Sequence, residues 1–151
     1  MVVPAQESML AAADRSGLDF TSLRLCLATG PAMPADMLHR FEDRFGCIVR
    51  EEYRLSEISP VAGLSDPSEV RKVRSLGRPI DGVELRVVDD RGGEVPVGVA
   101  GELQIRGHNV MKGYSSLPEA TKTALVEGWL ATGDIGTVDE HGHLFIVDEK
   151  T

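Results

Sequence analysis

The sequence predicts an α/β layer that gives way to a small, distorted β-barrel. Three observations carry that expectation. Leu23, Leu25 and Leu27 alternate with Arg24, Cys26 and Ala28, the period of two that a strand produces. Met37, Leu38, Phe41 and Phe45 recur at the spacing that puts them on one face of a helix. Beyond about Val73 the texture changes to short apolar runs separated by glycine turns.

Taken in order, "PAQESMLAAADRSG" is Ala-rich and helix-like, with Gly17 placed to end it. "SLRLCLATG" is the first strand. "PADMLHRFEDRFG" opens with Pro34 at a helix start and closes at Gly46. "CIVREEY" reads as the next strand, and strand–helix–strand order implies a parallel layer. "GLSDPSEVRKVR" is the expected linker. The chain should therefore divide into a partial α/β subdomain over 1–72 and a barrel subdomain over 73–151. In the second part "GVELRVVDDRGGEV" alternates Val83, Leu85 and Val87, then turns through Asp90-Arg91-Gly92-Gly93. "GELQIRG" and "HLFIVD" are further strands, with Leu103 and Ile105 facing inward. Between them "LPEATKTAL" is a helix with Pro118 in its first turn. Gly101, Gly107 and Gly113 fit tight barrel turns.

Composition narrows the class of function. A chain of 151 residues, 42% hydrophobic and 26% charged, can fold without staples, in one domain or two small ones. Its net charge of −8 argues against nucleic acid or anionic lipid as partner, because both require a basic face. Nothing approaches the ~20 apolar residues of a membrane span, and "MVVPAQES" lacks the pattern of a signal peptide. Cys26 and Cys47 lie on apolar segments without metal spacing, which predicts reduced, buried thiols in a cytoplasmic protein. His39, His108, His141 and His143 pair with no Cys or acid at metal spacing and read as structural or surface residues. A parallel sheet of about two strands cannot cover both its faces, so the sequence looks like a piece of something larger.

Four stretches, in order, resemble the adenylate-forming (AMP-binding) enzymes, and among them the acyl-CoA synthetases. They are "ATGPAMP" (28–34), "EYRLSE" (52–57), "GELQIRGHNVMKGY" (101–114) and "GWLATGDIG" (128–136), with "SLGRPIDGVELRVVDD" (75–90) fitting between the second and third. Any one of them is weak, since short glycine patterns arise by chance. Their order over nearly the whole chain is what carries the resemblance.

The resemblance implies site residues. Tyr53 would stack on the adenine ring of ATP, an interaction worth ~1–3 kcal/mol for nucleobases. The Ser56 hydroxyl would donate to the α-phosphate, and Glu57 would help hold Mg²⁺, a hard ion that suits carboxylate oxygen. Gly30 and Pro31 would form the turn that brings backbone close to the adenine and the acyl group. Asp134 would accept both ribose hydroxyls, because two ionised oxygens match a vicinal diol. Read without the family, Tyr53 is a half-buried tyrosine at a strand end, Ser56 and Glu57 are solvated, and Asp134 is a turn aspartate. Trp129 reads as barrel packing. "NVMKGYSSLPEATKTAL" leans toward acyl-CoA synthetases and away from the adenylation domains of peptide synthetases.

The implied activity is ligation of a fatty or other carboxylic acid to coenzyme A, driven by ATP. Two alternatives remain: a non-catalytic module that binds a nucleotide or a protein partner, and an adenylating domain that loads a carrier protein. Several residues depart from the family pattern. Arg54 stands where glycine is expected, so its side chain must point away or intrude near the acyl pocket. Glu51 and Glu52 add negative charge where the family often has an amide, and Glu149 stands where an arginine that contacts ribose is expected. Asp148 is the expected hinge. The resemblance places the phosphate-gripping loop before Met1 and the C-terminal domain with its lysine after Thr151, so these residues alone are expected to be inactive.

Overall fold

The computed structural model describes residues 19–29, 33–58, 72 and 75–149. The expected helix before Gly17, the Gly30-Pro31 turn and nearly all of the expected linker lie outside the described residues.

Among the described residues there are two sheets. The first pairs β1 (Leu25–Thr29) with β2 (Ile48–Glu52) in parallel, Cys26 opposite Val49 and Ala28 opposite Glu51. Between them runs α1 (Ala35–Phe45), which follows Pro34 and ends at Gly46 in the left-handed conformation, φ 63°. Gly46 donates its N–H to the Glu42 carbonyl, closing the last turn. Met37, Leu38, Phe41 and Phe45 are buried with Cys47 and Val49, and Cys26 and Ala28 pack against them. The small residues of β1 therefore face the helix, whereas Leu25 and Leu27 are 39% and 52% exposed. Cys26 and Cys47 are free thiols with Sγ atoms 3.3 Å apart.

The second sheet is antiparallel and curled. β3 (Val83–Val88) pairs with β4 (Gly101–Gly107), and β4 with the ten-residue β6 (Trp129–Val138). On its other side β6 takes β5 (Leu125–Val126) near its start and β7 (Leu144–Glu149) along its second half. A short helix, α2 (Pro118–Ala124), precedes β5 and carries proline at its start. The expected barrel is thus an open, curled sheet: among the described residues β3 and β7 do not pair. Their free edges are partly covered instead. Val95 donates to the Val87 carbonyl beside β3, while Leu76 and Gly77 exchange hydrogen bonds with Leu144 at the start of β7.

The loops after β3 and between β6 and β7 have the same construction. Asp89 Oδ1 accepts the N–H groups of Arg91 and Gly93, each at 2.9 Å, and Asp139 Oδ1 does the same for His141 and His143. Asp-x-x-Gly-x closes each turn with one carboxylate oxygen. Lys72 bonds the other oxygen of Asp139, and that contact holds the carboxyl well below the usual range.

Leu103, Ile105, Leu130 and Leu144 are almost fully buried in one core with Val83 and Val87. Tyr53, Leu55 and Ile58, which follow β2, pack into this second core rather than the first. Gly107 starts the tight turn expected of it, closed by the Val110 N–H on its carbonyl at 3.3 Å, whereas Gly101 opens β4 instead of lying in a turn. At Gly101 a Cβ would lie 2.4 Å from the Val88 carbonyl oxygen, so glycine is required by the approach of β3. Trp129 does pack on the sheet, with the guanidinium groups of Arg86 and Arg106 at 4.2 and 4.5 Å from its ring centroid. Arg86 is held by Gln104 and Arg106 by Glu84.

Candidate functional site

The chain leaves β2 at Glu52 and enters a tight turn closed by the Ile58 N–H on the Leu55 carbonyl, 3.1 Å. Ser56 and Glu57 occupy its two central positions. Such positions project side chains away from the turn's own backbone, which is why two polar groups stand here beside the core. Leu55 and Ile58 anchor the turn in the second core, and Ile58 bridges to Val110. Tyr53 is 7% exposed.

Asp134 arrives from β6 by a bulge. Gln104 pairs with Ala131 and Glu102 with Ile135, so Leu103 alone faces Thr132, Gly133 and Asp134. Bulges re-aim side chains, and this one turns on Gly133 at φ 79°. A Cβ on Gly133 would meet nothing within 4 Å, so the requirement is conformational rather than steric. Thr132 ties the bulge down: its hydroxyl donates to the Leu103 carbonyl at 2.9 Å and accepts the Asp134 N–H at 3.1 Å.

These two devices bring Tyr53 and Asp134 together. The Tyr53 hydroxyl donates to Asp134 Oδ2. Burial pushes the phenol far above its ordinary range, and the bond to Asp134 and the charges of Asp134 and Glu57 push the same way. Tyr53, Glu57 and Asp134 therefore share one electrostatic neighbourhood. Ser56 is exposed on the same turn. Gly30 and Pro31 lie outside the described residues.

Two further residues belong to this neighbourhood. The Tyr114 hydroxyl donates to Glu57 Oε1 at 2.9 Å, which raises the Tyr114 phenol as well, and Thr132 supports Asp134. Tyr114 stands in the stretch read from sequence as architecture. The signal available was an aromatic residue after glycine in a polar segment.

Two of the departures from the family pattern, Glu51 and Arg54, can be read in the structure. Glu51 is buried and accepts the Met33 N–H at 2.8 Å, so its charge anchors the chain that follows residues 30–32. The Arg54 side chain is 53% exposed and points outward, 3.9 Å from Glu52. Glu149 stands directly opposite Asp134 in the β6–β7 register, and Asp148 opposite Ile135.

Among the described residues no group of three or more His, Cys, Asp or Glu side chains could hold a metal. The single carboxylate that the turn offers, Glu57, would suit only an ion that draws its other ligands from phosphate oxygens. Among the described residues no helix is long and apolar enough to cross a membrane.

Curated relatives include a long-chain-fatty-acid–CoA ligase of Haemophilus influenzae, 36% identical over 88% of this chain and 24% of its own length. A feruloyl-CoA synthase of Amycolatopsis is 38% identical over 97% of this chain and 30% of its own. The chain thus spans about a quarter to a third of the length of these relatives. Among solved structures, the O-succinylbenzoate coenzyme A synthetase of Bacillus subtilis in complex with AMP superposes with a TM-score of 0.82. It is 28% identical over 97% of this chain and 30% of that one. The family profile of AMP-binding enzymes matches residues 1–115, and the chain belongs to that family.

Proposed function

We propose that this chain supplies the nucleoside end of the active site of an ATP-dependent acid–thiol ligase. The observation that carries the reading is the convergence of Tyr53, Glu57 and Asp134, from two sheets and 81 residues of sequence, on one neighbourhood. Asp134 would accept the ribose hydroxyls, Tyr53 would lie against adenine, and Ser56 would donate to the α-phosphate. Gly30 and Pro31 would line the adenine and acyl side. Glu57 would contribute one carboxylate to the Mg²⁺ that arrives with ATP.

The reaction proceeds in two steps. A fatty or other organic carboxylate attacks the α-phosphorus of MgATP, giving an acyl-adenylate and releasing pyrophosphate. The thiol of coenzyme A then attacks the acyl carbon, and AMP leaves as the thioester forms. No protein nucleophile is needed; catalysis of the first step rests on positioning and on neutralising phosphate charge. The grip on the β- and γ-phosphates and the lysine expected for adenylate formation lie outside these 151 residues, so the chain alone would not turn over. It would act in the cytoplasm, covalently continuous with a C-terminal domain.

Pyrophosphate release from ATP and a panel of acids tests both statements. The full-length protein carrying this chain should release pyrophosphate, and Asp134→Ala should raise its KM for ATP. Release by the 151 residues alone would overturn the claim of dependence. An unchanged KM in the variant would overturn the assignment of Asp134.

One observation favours a second reading, a nucleotide-binding module without catalysis. Glu149 pairs with Asp134 in the β6–β7 register, so the sequence has an acid at a position where a cation would favour anionic substrate. If that position limits turnover, Glu149→Arg raises activity in the full-length protein. A silent parent that stays silent as Glu149→Arg supports the module.

A further inference from the structure

We propose that Tyr114 is the positioning residue for Glu57, holding its carboxylate in the orientation that receives the cation of a metal–nucleotide. The inference rests on the reading of Glu57 given above. Glu57 sits at the centre of a partly exposed turn, where a glutamate normally samples many rotamers and gives up that freedom when fixed. Here it is fixed twice. Its backbone carbonyl accepts the Met111 N–H at 2.8 Å, and its carboxylate accepts the Tyr114 hydroxyl at 2.9 Å.

Tyr114 is itself braced from the next element. Its N–H donates to Thr121 Oγ1 at 2.9 Å, and the Thr121 hydroxyl donates to the Leu117 carbonyl at 2.9 Å, within the first turn of α2. Thr121, Tyr114 and Glu57 therefore form one relay from helix to turn. The phenol engages only Oε1. Among the described residues, Oε2 makes no hydrogen bond or ion pair with a protein group. A carboxylate with one oxygen tied to a neutral donor and the other uncommitted is a monodentate ligand aimed in advance. Groups that orient a ligand in this way change metal affinity by about 10- to 100-fold.

The test measures metal–nucleotide coupling rather than turnover. In the full-length protein carrying this chain, the affinity for ATP is determined with EDTA and again with Mn²⁺. The free Mn²⁺ signal in electron paramagnetic resonance reports the bound ion. Tyr114→Phe, at a side chain that is already partly exposed, should fold normally and bind metal-free ATP as the unaltered protein does. It should lose about tenfold in Mn²⁺ coupling, and Thr121→Val should lose part of that. Glu57→Gln should abolish the coupling.

If Glu57→Gln leaves the coupling intact, Glu57 is not the metal carboxylate and the underlying reading fails. If Glu57→Gln abolishes it while Tyr114→Phe does not reduce it, Tyr114 is no positioning residue, and the reading of Glu57 survives. Equal loss of ATP affinity with and without Mn²⁺ in Tyr114→Phe would mark a merely structural tyrosine and would also overturn the proposal.

Discussion

Tyr53 donates its phenolic hydrogen to Asp134, 81 residues away in sequence. One partner leaves a parallel strand and the other leaves a bulge in an antiparallel sheet. The contact therefore ties the segment that follows the parallel strand to the bulge of the curled sheet.

Removing that hydroxyl gives the first prediction. Tyr53→Phe should lower stability by about 1.5–3 kcal/mol, the range for hydrogen bonds to charged groups. The effect should depend on pH with a defined sign. Because the folded-state phenol lies above its unfolded value, its contribution is full below about pH 10 and declines as pH rises beyond it. Denaturant midpoints from pH 7 to 11 should fall for the unaltered chain more steeply than for Tyr53→Phe. Parallel curves would show that the phenol titrates normally.

Gly133 supports the other side of the same contact. Alanine has room there, so the change isolates backbone conformation: about 1–2 kcal/mol for placing a Cβ in the left-handed region. If relief of that strain flattens the bulge, Asp134 swings away from Tyr53. Gly133→Ala should therefore lose stability and AMP affinity together, as read by denaturation and calorimetry. A variant that loses stability alone would show that the bulge survives without glycine.

These two residues also show what the sequence could and could not reveal. Thr-Gly-Asp was recognisable as a motif, but its being a bulge depends on the pairing of Leu103, which lies about thirty positions away. Periodicity in β1 identified two faces without saying which is covered. The large Leu25 and Leu27 are exposed, while the small Cys26 and Ala28 admit the helix. Alternation of strands and turns after Val73 predicted curvature correctly but not closure, because closure needs the last strand to find the first. Tyr114 shows the same difficulty: its place after glycine in a polar segment hinted at a role, but the carboxylate it meets lies 57 residues earlier.

The thiol pair gives a prediction that is independent of nucleotide. Burial, and then the neighbouring Cys26, pushes Cys47 up to about 11, so at pH 8 only about one molecule in a thousand carries the thiolate. Iodoacetamide at pH 8 should modify half-buried Cys26 first and reach Cys47 only as the fold opens. Peptide mapping over time would show the order. Equal rates at the two sites would mean that the α1 core opens freely.

The β5–β6 hairpin offers a gain in stability. Val126 pairs with Trp129, which leaves Glu127 and Gly128 as a two-residue loop with φ of 52° and 82°. Positive φ at both positions is the type I′ turn, which suits the twist of the strands and favours Asn-Gly. Glutamate gains nothing from the left-handed region, whereas asparagine tolerates it through local hydrogen bonding. Glu127→Asn should therefore stabilise the chain by about 0.5–1 kcal/mol, read as a higher denaturant midpoint with unchanged slope. The turn lies immediately before Trp129, whose ring lies beside the guanidinium groups of Arg86 and Arg106. A better turn should also sharpen that stack, and the tryptophan emission should report it. A midpoint that stays the same or falls would mean that strand pairing, not the turn, imposes the conformation of Glu127 without strain.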